Sequence, residues 1–170
     1  GLLGLALFLG LFTAAYYGLH AYYTRQEVAE TLALKQEIAL GNTLHGLLLE
    51  SETIVHDSTA RTVADSVMKR LVAANGLTRY PYTLTLVRDS RVNAFALPGG
   101  HIVFYSGLIA KLESPEQMAA VAAHELGHVE ARHSLNRLIA QMGLATLSGG
   151  GAPQEALNHL LQLNYSRKQE

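Results

Sequence analysis

Residues 1–24 contain no Asp, Glu, Lys or Arg, so all 13 basic and 14 acidic residues of the 170-residue chain fall after that point. At about 1.5 Å per helical residue, Gly1 to Tyr23 is long enough to cross the roughly 30 Å hydrocarbon core of a bilayer. Tyr16–Tyr17 and Tyr22–Tyr23 sit late in the run, where amphipathic rings favour the membrane–water interface. Residues 1–23 are therefore predicted to be a transmembrane anchor in contact with the lipid bilayer. Residues 24–50 read as a helical stalk with a loose apolar face of Val28, Leu32, Leu34 and Ile38, broken at Gly41–Asn42 and interrupted again at Gly46. Residues 51–170 then form the working domain.

The rest of the composition excludes several classes. The chain is 49% hydrophobic and free of repeats, which rules out long disorder. A formal charge of −1 with no basic run gives no footprint for nucleic acid. The absence of cysteine removes disulfides, thiolate metal sites and a cysteine nucleophile together.

Within the domain the apolar period is first helical. Ala60, Val63, Ala64, Val67, Met68 and Leu71 recur at three- and four-residue spacing, predicting a helix over 53–74 that stops at Asn75–Gly76. The period then falls to two. Residues 82–87, 92–97 and 101–105 read as short strands separated by Arg88-Asp89-Ser90 and Pro98-Gly99-Gly100, which predicts a small three-stranded antiparallel sheet. Ser114-Pro115-Glu116-Gln117 is a helix start, with a serine cap, proline at the first position and Gln completing a capping box. That helix is expected to run to about His133, followed by helices over 134–147 and from Pro153 onward. Helix, small sheet, then helices predicts an α+β fold.

The chemistry concentrates in His124-Glu125-Leu126-Gly127-His128. On a helix, positions i and i+4 share a face one turn apart, so both imidazoles reach one ion. Glu125 is rotated about 100° from His124, beside the ion rather than on it. Two neutral imidazoles, a third oxygen or nitrogen ligand and an open position for water suit one Zn2+ ion. Glu125 is then placed to take a proton from water and pass it to a leaving amine. With 8 His in a chain of this composition, roughly 0.02 such matches arise by chance, so coincidence is a poor account. A third histidine at the metzincin spacing is missing, because Ala131 and Ser134 stand where that pattern needs Gly and His. A glutamate from a later helix is the other solution, and spacing alone leaves Glu155 and Glu170 equal.

Three stretches together carry a resemblance: N-A-F-A-L-P-G-G-H-I (Asn93 to Ile102), H-E-L-G-H-V-E-A-R-H (His124 to His133) and S-R-K-Q-E (Ser166 to Glu170). In this order they resemble the gluzincin family of HtpX, the CAAX prenyl proteases and the mitochondrial and periplasmic quality-control proteases. The resemblance covers about residues 50–170 and implies a mostly helical, zincin-like metallopeptidase domain. It implies Glu170 as the third zinc ligand with His124 and His128, and Glu125 as the catalytic residue. It also implies that Asn93, Ala94 and Phe95 form an edge strand that holds a peptide substrate through backbone hydrogen bonds. The family pattern continues past Glu170 with an Ala-Asp pair and the group that stabilises the transition state, so the domain is expected to be C-terminally incomplete. By likeness to singly anchored members, the catalytic domain is expected on the extracytoplasmic (periplasmic) side. Its substrates are then unfolded or misassembled polypeptides near the membrane. A zinc-bearing chaperone that holds chains in the same cleft is the rival reading, and the proton acceptor Glu125 argues against it. Arg132 and His133 match the family's R-H, where a packing or supporting role is expected.

Overall fold

The computed structural model describes the backbone of residues 2–143 and 153–166; side chains at 2–12, 14, 21–32 and 163–166 lie outside the description. The first element, α1, is one helix, Leu2–Ser51. It runs through Gly41, Asn42 and Gly46, correcting the predicted breaks. The reason is a close approach: a Cβ on Gly41 would stand 2.1 Å from the Pro98 carbonyl oxygen. Glycine here is the residue that lets the helix backbone lie against another backbone, and that contact outweighs about 1 kcal/mol of poor helix propensity. The chain separates into two compact units, Gly1–Gln36 and Glu37–Glu170. The last turns of α1 thus belong to the body, with Leu44 and Leu48 fully buried in its core.

Among the described residues, no helix is long and apolar enough to cross a membrane. The transmembrane expectation is therefore not supported by the structure. The apolar run it rests on falls mostly on positions whose side chains lie outside the description.

Helix α2, Ser58–Ala74, starts five residues later than its periodicity predicted, with Asp57 Oδ1 accepting from the Ala60 N–H at 2.7 Å. The preceding residues are extended instead: Val55 N–H donates to Leu86 O and Arg88 N–H to Thr53 O. The end matches the sequence. Gly76 takes φ 61°, and Leu77 N–H returns to Val72 O, the left-handed cap that Asn75–Gly76 signalled.

The sheet is mixed, not antiparallel. Strands β1 (Thr83–Val87), β2 (Ala94–Ala96) and β3 (His101–Tyr105) lie in the order β1-β3-β2, with β1 parallel and β2 antiparallel to β3. The Arg88–Ser90 segment is not a hairpin turn. Asp89 is tied to the far end of β3 instead: its carbonyl accepts from Gly107 N–H at 2.7 Å and Ser106 Oγ at 2.9 Å. The connection is drawn past the end of β3, and β2 pairs on that strand's other side. From β2 the chain returns through a 3-10 turn, Pro98–Gly100, where Gly99 and Gly100 both need positive φ. All five residues of β3 are buried, as a central strand requires.

Helices α3 (Ser106–Ile109), α4 (Pro115–Glu130), α5 (His133–Met142) and α6 (Pro153–Ser166) follow. The core joins Leu44 and Leu48 of α1 to Val87, Phe95, Val103 and Tyr105 of the sheet, Leu138 of α5, and Leu157 and Leu160 of α6. Two histidines stack on one another, His45 and His101, ring centroids 4.3 Å apart. His101 Nε2 donates to Asn42 Oδ1 at 3.0 Å, while Nδ1 lies 2.8 Å from the Thr83 hydroxyl; His45 Nε2 lies 2.8 Å from that of Thr85. Burial, and secondarily the neighbouring His45, depress His101 to about 4. Burial lowers His45 as well.

Candidate metal centre

Helix α4 carries the site, and its start follows the sequence signal closely. Gln117 N–H donates to Ser114 Oγ at 3.3 Å, and Gln117 Oε1 accepts from Glu113 N–H at 2.7 Å, one residue before the cap itself. Met118, Ala122, Leu126 and Val129 form a buried stripe, and α4 packs against α2 and β2. The helix ends at Glu130, short of the expected His133.

His124 and His128 converge. Their rings meet edge to face at 4.7 Å, and the two Nε2 atoms stand 3.2 Å apart. Two ligands at about 2.0–2.1 Å from a tetrahedral zinc stand about 3.3–3.4 Å apart, so the spacing of the pair is close to what one such ion requires. Glu125 lies on the buried stripe of the same helix and is 9% exposed. It neighbours the imidazoles in sequence but not on their face.

The third ligand is not among the described residues, where no group of three His, Cys, Asp or Glu could hold a metal ion. Glu155, one of the two carboxylates left open by spacing, is exposed in the first turn of α6 and does not join the histidines. Glu170 lies outside the described residues.

Of the expected substrate residues, Phe95 is buried in the core with its ring 5.6 Å from that of Tyr105. The ladder bonds Leu97 N–H to His101 O and Tyr105 N–H to Asn93 O fix the pairing. In this register, Phe95 backbone groups face β3, whereas those of Ala94 and Ala96 face outward. The outward Ala96 carbonyl accepts from Ser134 Oγ at 2.6 Å. The opposite side of the sheet is partly covered, since Ile54 bridges to Val87 on β1. Among the described residues, the edge left for an added strand is that of β2, at Ala94.

Sequence reasoning missed Glu37. Its side chain is 2% exposed and its Oε2 lies 2.8 Å from Arg132 Nε. The N–H is not aimed along that line, so the contact is an ion pair rather than a formed hydrogen bond. One of four glutamates in a segment read as a stalk, it gave no signal of this. His133, expected in a supporting role, has its Nδ1 2.7 Å from His128 Nδ1.

Helix α4 thus bears two convergent imidazoles and an adjacent buried glutamate, and it packs against β2. The model of peptidase family M48 matches residues 59–170, and the chain belongs to that family. It is 32% identical over 121 residues to the beta-barrel assembly-enhancing protease of Yersinia pestis, covering 71% of this chain and 25% of that protein. The Escherichia coli protein of the same name is 31% identical over 122 residues, covering 72% and 25%. The mitochondrial metalloendopeptidase OMA1 of Schizosaccharomyces pombe is 34% identical over 113 residues, covering 61% and 34%. The chain thus spans a quarter to a third of the length of these relatives. They support the family-level resemblance, but not its finer labels of HtpX or CAAX prenyl protease.

Proposed function

We propose that this chain carries the catalytic part of a zinc-dependent metalloendopeptidase that hydrolyses peptide bonds in polypeptide substrates. The observation that carries the reading is the 3.2 Å convergence of His124 and His128 Nε2 on a helix that also presents Glu125. His124 and His128 hold the ion with Glu170 as third ligand, the last on the strength of the S-R-K-Q-E motif. When bound, zinc supplies a Lewis acid for the scissile carbonyl and lowers the pKa of water. The Glu125 carboxylate takes the proton of the attacking water and returns it to the leaving amine. Ala94 offers its outward backbone N–H and C=O to an extended substrate, with Asn93 beside it. This recognition reads the peptide backbone and suits unfolded or misassembled chains.

Residues 1–23 anchor the protein in a bilayer as a single pass, the domain lying on the extracytoplasmic side. The charge-free run supports this, with Tyr16–Tyr17 and Tyr22–Tyr23 late in it. The test is casein degradation by the full-length protein. Cleavage is expected to stop with a zinc chelator and to resume when zinc is restored. Casein held but never cleaved would replace the peptidase with a zinc-bearing binding protein.

A further inference from the structure

Resting on the metal reading above, we propose that His133 is a positioning residue: the hydrogen-bond acceptor that fixes the orientation of His128 and thereby sets the affinity for zinc. The ring of His128 stands between two contacts, Nε2 3.2 Å from His124 Nε2 and Nδ1 2.7 Å from His133 Nδ1. A lone pair on Nε2 free for the ion requires the proton on Nδ1, and that N–H then donates to His133 Nδ1. His133 accordingly carries its own proton on Nε2. A hydrogen bond at the far nitrogen selects the tautomer, holds the ring plane and raises the basicity of the ligand.

The backbone is shaped to deliver this contact. Along an unbroken helix, the fifth residue after His128 would be rotated about 140° from it and could not meet its ring. The chain instead leaves α4 at Glu130, passes through Arg132 at φ 55° and ψ 29°, and begins α5 at His133. Arg132 is the one non-glycine residue with positive φ among those described. Such a conformation persists only where the surroundings hold it. Here Glu37 of α1 grips the Arg132 side chain, and Ser134 Oγ grips the Ala96 carbonyl of β2. Three consecutive residues thus tie α1, the metal-binding helix and the substrate-edge strand to one turn. His133 itself is exposed, so its ring is not needed to fill the core.

The experiment is zinc affinity of the full-length protein, measured by competition with a chromogenic chelator, for wild type, His133→Ala and His133→Asn. His133→Ala is expected to bind zinc about 10- to 100-fold more weakly, and His133→Asn within about threefold of wild type, because its Oδ1 takes the place of the accepting nitrogen. Thermal unfolding of the zinc-free forms is expected to be unchanged. Wild-type affinity in His133→Ala, or equal loss in both variants, overturns the proposal while leaving the peptidase reading intact. A wild-type protein that takes up no zinc removes both.

Discussion

Glu125→Gln is expected to lower peptidase turnover about 100- to 10,000-fold while leaving zinc content at the wild-type level. The two halves of this result have separate causes. Glutamine matches glutamate in shape but carries no basic oxygen, so it cannot take the proton of the attacking water. Zinc stays because the carboxylate is offset about 100° around α4 from His124 and contributes nothing to the ligand pair. Measuring turnover and bound zinc on the same preparation separates the effects. Turnover within about twofold of wild type, with zinc in place, would remove Glu125 from proton transfer. Loss of zinc would show that the carboxylate sits on the ion.

The second large effect concerns acid. His101 is 4% exposed and depressed to about 4 in the folded protein, against 6.5 for an ordinary histidine. Between those values the unfolded chain binds more protons than the folded one. Stability is therefore complete above pH 6.5 and falls as the pH drops toward 4. From pH 7.5 to 4.5 the loss from this residue is on the order of 2–3 kcal/mol. The groups around it are Asn42, Thr83 and His45, which supply no carboxylate to stabilise the charged ring, and His45 shifts in the same direction. Urea unfolding of wild type and His101→Asn across this range isolates the contribution. The stability gap between them should shrink by that amount as pH falls. A constant gap would mean that His101 titrates normally in the folded protein.

Helix α4 was legible because its signals are local. The serine cap, the proline and the i, i+4 histidines each act within one or two turns, and α4 formed where they said. The sheet was not legible in the same way. Strands 83–87, 94–96 and 101–105 were found, but their pairing depends on Asp89 being held at the end of β3, a contact across 17 residues. Gly41 misled for a related reason: glycine that breaks a helix and glycine that admits a neighbouring backbone look identical until Pro98 is in place. The turn at Arg132 had no sequence signal, since arginine has no preference for the left-handed region. Extending α4 to His133 followed from that and hid the contact between His133 and His128. Glu37 was unreadable as a buried ion, because its partner lies 95 positions away in the chain.

The central claim is that His124 and His128 hold one zinc ion together. Zinc K-edge X-ray absorption on the zinc-loaded, full-length protein addresses it directly. Two imidazole nitrogens at about 2.0–2.1 Å with an otherwise oxygen shell are predicted. A shell with one imidazole, or none, would contradict the claim.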